Sequence, residues 1–138
     1  MPLSTVYTRR LRIPDSAIDE NGHVNNVVYV QWMQDIAVEH YTVLGGVEAQ
    51  GEVGTWVVRE HHIEYLLPAF AEQQIEVRTW VEILRRVRSL RKYEFVRSED
   101  QKLLVRGETE WIFVDPTTGA PRAIPKAVGD LLKSGLDG

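Results

Sequence analysis

Large apolar residues in the first third of the chain recur at intervals of three and four. From Tyr29 they fall at Trp32, Met33, Ile36, Ala37, His40, Tyr41 and Leu44, while Gln31, Gln34, Asp35 and Glu39 lie off that stripe. This spacing predicts one long helix from about Val28 to Leu44, heavily buried along its aromatic face. Asn25 or Asn26 is suited to cap its start, because an asparagine oxygen can accept from the orphan backbone N–H groups. Gly45-Gly46 is a natural stop, since glycine takes the left-handed conformation without strain.

Elsewhere the period shortens to two. Thr5 to Ile13, ended by Pro14-Asp15-Ser16, reads as a first strand. After a loop containing Gly51 and Gly54, Thr55 to Leu67 alternates Val57, Arg59, His61, Ile63 and Tyr65 against Val58, Glu60, His62, Glu64 and Leu66. Gln74 to Leu84, Ser89 to Arg97 and Lys102 to Asp115 follow as three more strands, and Pro125 opens a short terminal helix, Lys126 to Leu132. The order strand, helix, four strands, helix predicts an α+β domain spanning residues 1–138, with a four-strand antiparallel meander wrapped on one helix.

Composition narrows what such a domain does. A net charge of −4 excludes the chain as a general polyanion binder, so no nucleic-acid partner is expected. Cysteine is absent, which removes disulfides and thiolate chemistry and fits a reducing, cytoplasmic setting. The N-terminus carries no basic-then-apolar signal, and no apolar run approaches the roughly 20 residues of a spanning helix, so no membrane partner is expected.

The chemistry concentrates in Asp19-Glu20-Asn21-Gly22-His23-Val24-Asn25-Asn26, immediately before the helix. A carboxylate with a reference pKa of about 3.9 is ionised at neutral pH. Beside a substrate carbonyl it can act as nucleophile or general base. The first-turn N–H groups near Asn26 offer partial positive charge where an oxyanion would form. His23 is placed to donate a hydrogen bond or shuttle a proton, and Asn21 and Asn25 to fix a water or the Asp. Hydrolysis of a reactive acyl compound fits the set; a turn that caps a helix fits the same residues.

A second cluster, Arg85-Arg86-Val87-Arg88-Ser89-Leu90-Arg91-Lys92, gathers five of the 16 basic residues at a turn between strands. It is either a solvated hairpin or an anion site for phosphates, with Arg85, Arg86, Arg88 and Arg91 as the contacts. His61 and His62 are strand neighbours pointing to opposite faces, so no shared metal ion is expected.

The string Asp19-x-x-Gly22-His23-Val24-Asn25-Asn26-x-x-Tyr29-x-x-Trp32 resembles the opening motif of hot-dog-fold acyl thioesterases, above all the 4-hydroxybenzoyl-CoA thioesterase family. It is also similar to the plant acyl-ACP thioesterase motif, met by Asp19, Asn21, His23, Val24, Asn25, Asn26 and Tyr29. The resemblance implies a single hot-dog domain, a five-stranded antiparallel sheet around one central helix. It implies Asp19 as catalytic carboxylate, the Asn26 N–H as oxyanion donor, and Asn21 and His23 as further catalytic residues. Asn25, Tyr29 and the four arginines would contact the substrate, an acyl-CoA or acyl-carrier-protein thioester, with no cofactor beyond the coenzyme A of the substrate itself. A homodimer or homotetramer is implied as well. The chain departs from the plant enzymes in having Pro68-Ala69 where they carry a Glu-Cys pair, and in offering room for one hot-dog repeat instead of two. A non-catalytic acyl-CoA or acyl-carrier binding module is the alternative function.

Overall fold

Helix α1, Asn26–Val43, is the element against which the sheet is built. The computed structural model describes residues 2–133. Tyr29, Met33, Ile36, Ala37 and His40 form the buried face of α1, as the three-and-four spacing requires. Asn25 is the cap: its side-chain oxygen accepts the Val27 N–H at 3.0 Å. Gly45, at φ +87°, ends the helix in the left-handed conformation. The expected loop beyond it starts instead with a short helix, α2 (Gly46–Gln50). Gly46 lies so close to the Tyr41 ring that an added Cβ would stand 2.4 Å from it. Burial of α1 is one-sided, since Val27, Val38 and Val43 are exposed. One sheet covers only one face of a helix.

The strands are β1 (Tyr7–Arg12), β2 (Thr55–Tyr65), β3 (Gln74–Leu84), β4 (Arg88–Arg97) and β5 (Leu103–Val114), with α3 (Lys126–Lys133) closing the described chain. All pairings are antiparallel, in the order β1-β3-β4-β5-β2. The hot-dog arrangement is therefore present, but the four-strand meander is corrected: only β3, β4 and β5 are consecutive neighbours. β2 pairs with β5 and forms the far edge. The segment after β2 does not turn back as a hairpin. Leu66 and Leu67 N–H both bond to Leu104 O, and Ala69 O then accepts the Val24 N–H, which carries the chain across to the start of β3.

A bulge between Val58 and Glu60 corrects the alternation expected in β2. Trp56 and Val58 pair with Phe113 and Trp111, whereas His61, Ile63 and Tyr65 pair with Thr109, Gly107 and Val105. Directly opposed residues share a face, so Arg59 is the extra residue and Val57 points away from the helix side. Gly107 sits under Met33, whose Sδ and Cε would lie 3.1 Å from an added Cβ. Its missing side chain lets α1 approach the sheet. The main core joins α1 to Ile75, Val77, Tyr93, Phe95, Leu104 and Val105. A second cluster, centred on Val81, Val128 and Leu132, lies under α3. The sheet's outer face carries an ion-pair lattice that includes Arg106–Glu64, Arg88–Glu110 and Arg78–Glu76.

Candidate active site at the start of the central helix

The loop from Ile18 to Asn25 is folded tightly by its own backbone. Ile18 and Val24 form an isolated bridge, Asp19 N–H bonds to His23 O at 3.1 Å, and Gly22 N–H returns to Asp19 O at 3.0 Å. Gly22 takes φ +85°, which only glycine adopts cheaply. Asn25 N–H bonds to Ala17 O and Val24 N–H to Ala69 O, so the loop is anchored on both sides.

Within this frame Asp19 is half-buried. Its Oδ1 accepts the Asn21 N–H at 2.9 Å, and its Oδ2 makes no hydrogen bond to the described residues. Asn21 thus orients the carboxylate through its backbone, and its side chain is exposed. The His23 ring packs edge-on against Phe70, with centroids 6.4 Å apart. It makes no hydrogen bond to Asp19, so the two do not form a dyad within the chain.

At the helix start the N–H groups divide. Val27 N–H is taken by the Asn25 side chain and Val28 N–H by Asn25 O. Asn26 N–H makes no hydrogen bond to the described residues and stays open, at the positive end of the α1 dipole. The Asn25 amide oxygen is therefore committed to the cap, and its side-chain NH2 makes no hydrogen bond to the described residues. Asn26 O is held by the Tyr65 hydroxyl at 3.0 Å. Sequence reasoning missed Tyr65, because nothing local says that the end of β2 lies beside the start of α1. Tyr29 is buried, meeting Trp32, Tyr65 and Phe95 edge-on. Its hydroxyl has no hydrogen-bond partner among the described residues, and burial pushes its pKa up to about 12.

The basic cluster does not join this loop. Arg85, Arg86 and Arg88 are exposed at the β3–β4 turn. That turn lies beyond Leu84, whereas the Asp19 loop adjoins the opposite end of β3, near Gln74. The 11 residues of β3 separate them by on the order of 30 Å. Arg91 must be withdrawn from the expected phosphate contacts altogether. It is 4% exposed, on the helix side of the sheet, and its Nη1 donates to His40 Nδ1 at 2.8 Å and Thr79 Oγ1 at 3.2 Å. An arginine only donates, so His40 accepts at Nδ1 and carries its proton on Nε2, which faces Thr5 Oγ1 at 3.1 Å. Burial and then the Arg91 charge lower the His40 pKa to about 4.

His61 bonds through Nδ1 to Thr109 Oγ1 on the helix side, while His62 faces Glu64 on the outer face. Among the described residues no group of three His, Cys, Asp or Glu side chains is placed to hold a metal ion. No helix among them is long and apolar enough to cross a membrane.

Comparison with known proteins adds a family and a fold. The model of the thioesterase-like superfamily matches residues 13–132. No protein of the curated set matches the sequence. Among solved structures, a 1,4-dihydroxy-2-naphthoyl-CoA thioesterase from Synechocystis is similar with a TM-score of 0.84 and 16% identity, covering 97% of this chain and 99% of that one. The PA5185 protein from Pseudomonas aeruginosa is similar at 0.83 and 23% identity, with 93% and 90% covered. A Staphylococcus aureus protein solved in complex with CoA, SAV2348, is similar at 0.83 and 18% identity, with 93% and 82% covered.

Proposed function

The chain belongs to the thioesterase-like superfamily, and on that premise we propose that it hydrolyses an acyl-CoA thioester, with Asp19 as the catalytic carboxylate. The observation that carries the reading is the pairing of two open groups at one helix start. They are an Asp19 carboxylate with one free oxygen and an Asn26 N–H bonded to none of the described residues. As general base, Asp19 takes a proton from water while the oxygen adds to the thioester carbon. Negative charge on the carbonyl oxygen is stabilised by Asn26 N–H, the C–S bond breaks, and the proton leaves with the thiol. As nucleophile, Asp19 attacks the thioester carbon and forms a mixed anhydride as the C–S bond breaks and the thiolate leaves, and water then cleaves the anhydride to the free acid and the Asp19 carboxylate. Asn21 holds the carboxylate through its N–H, and His23 borders the loop against Phe70.

Coenzyme A is favoured over a carrier protein because a similar structure was solved with CoA. An aromatic acyl group, as in the 4-hydroxybenzoyl-CoA family, is the first class to test. Tyr29, Trp32, Tyr65 and Phe95 cluster beside the helix start, and one similar structure is a naphthoyl-CoA thioesterase.

We further propose a homodimer, or a homotetramer built from it, in which two β2 edges pair. β2 has 11 residues, and its outer edge pairs with no strand among those described. Antiparallel pairing reverses the partner, which brings its Asp19 loop to the end of the sheet where this chain's Arg85–Arg88 turn lies. The basic turn would then serve the phosphates of the partner's substrate.

The decisive experiment is thiol release across a panel of aromatic and aliphatic acyl-CoA substrates for the wild type and Asp19→Ala. Loss of at least about 10²-fold in the variant is expected. Near-normal hydrolysis by Asp19→Ala would refute the assignment. Tight acyl-CoA binding with no thiol release from either protein would favour the binding-module alternative.

A further inference from the structure

At the opposite end of α1 from Asp19, a cavity of about 110 Å³ opens between α1, α2, α3 and the sheet. Its lining is mainly apolar: Ala37 from α1, Val81, Trp56 and Trp111 from the sheet, and Leu132 from α3. Val47 on α2, itself exposed, stands at the mouth. Arg91 and Ser89, both buried, break the apolar lining from β4, and Thr42, whose hydroxyl donates to Val38 O, does so from α1.

Arg91 is a buried cation with no anion. Its two hydrogen-bond partners, His40 and Thr79, are both uncharged, and no ion pair among the described residues includes it. Only Nη1 is used; Nε and Nη2 make no hydrogen bond to the described residues. The nearest acid along α1, Glu39, is bound by Tyr7 and Arg9 on the far side of His40. Thr79 cannot turn to compensate, because its hydroxyl donates to Lys92 O at 2.9 Å. A guanidinium taken out of water without a counter-charge is costly, and its free fork matches a carboxylate.

We propose that this cavity binds a small apolar monocarboxylate. Its carboxylate is held by Arg91 and the Ser89 hydroxyl, and its apolar body lies between Trp56, Trp111 and Leu132. The volume suits one aromatic ring or a short acyl chain. A single cation and apolar walls suit a monoanion and disfavour a phosphate dianion. The cavity is separated from this chain's own Asp19 loop: the 14 helical rises from Asn26 to His40 span about 20 Å.

The test is a titration of the full chain with benzoate and hexanoate, against benzamide and hexanol as uncharged counterparts. Trp56 and Trp111 line the cavity, so saturable tryptophan quenching by the two acids is expected, with the uncharged analogues weaker by at least about tenfold. Amide chemical shifts should move around Ala37, Ser89 and Leu132. Arg91→Met should abolish the preference for acids. Val47→Phe, which alters only an exposed side chain at the mouth, should weaken binding even if Arg91→Met fails to fold. Equal binding of acid and amide, an undiminished signal in Val47→Phe, shifts confined to residues 18–26, or no saturation would each overturn the proposal. Thioester turnover is not a readout, so the outcome is separate from that of the hydrolase reading.

Discussion

The two ends of α1 carry opposite kinds of polar chemistry. At the N-terminal end the polar groups are loop-borne and partly exposed, and are held mainly by backbone hydrogen bonds. Asp19 leans on the Asn21 N–H, Asn25 caps Val27, and Asn26 N–H stays open. At the C-terminal end the polar groups are buried and held by side chains, Thr5 to His40 to Arg91 to Thr79. The first arrangement leaves groups free to meet a substrate without unfolding anything. The second ties its groups into the packing, so disturbing them disturbs the fold. A site and a structural network can thus occupy the same helix because they load different terms, one the transition state and the other the native state.

The sharpest way to break this contrast is to exchange the readouts. Asp19→Asn should lower kcat by about 10²–10⁴-fold while leaving the unfolding free energy within about 0.5 kcal/mol; chemical denaturation beside thiol-release kinetics measures both. His40→Ala should do the reverse. It should cost on the order of 4 kcal/mol, through a cavity and a lost hydrogen bond from a charged donor, with kcat of the folded fraction changed less than about threefold. An unchanged unfolding midpoint in that variant would dissolve the distinction.

Acid should sharpen it further. The His40 pKa is lowered from 6.5 to about 4, first by burial and then by Arg91. Between those values the unfolded chain binds the proton and the folded chain does not. The stability this group contributes is therefore complete above pH 6.5 and is lost as pH falls towards 4, on the order of 3 kcal/mol in all. The loss should be measurable as the difference in pH-dependent denaturation between wild type and His40→Gln. Equal slopes for the two proteins would contradict it.

Smaller effects probe the N-terminal end. Asn25→Ala should cost about 1 kcal/mol as a lost cap and leave KM unchanged; a raised KM would assign Asn25 to the substrate. Arg85→Ala should raise KM for a CoA thioester by about threefold with no change in stability. That follows from the proposed dimer, and an unchanged KM would count against the turn as a phosphate contact.

Much of this was legible in the sequence because it is local. The stripe from Tyr29 to His40, the asparagine cap and the Gly45 stop depend on residues within a few positions of one another, and the structure bears them out. The four strands after the helix lie close to where period-two alternation places them. The misreadings are non-local or irregular. The bulge at Val58–Glu60 breaks a period of two that no local signal interrupts. In the sequence Arg91 reads as one more arginine of a basic turn, and only its register against Val81 and Thr109 turns it inward towards His40. Arg88, three residues earlier, faces outward and pairs with Glu110.

The sequence by itself determined the long helix and its buried stripe, the approximate strand segments, and that a carboxylate stands just ahead of a helix start, since these follow from side-chain period and turn chemistry. Tertiary structure decided what those residues do. It set β2 at the sheet edge and Tyr65 against Asn26. It carried the basic turn to the far end of β3 and enclosed Arg91 beside His40. Pairing partners, burial and the distance between loops arise from how strands are ordered across the sheet, and strand order is a property of long-range contacts that no short window of sequence contains.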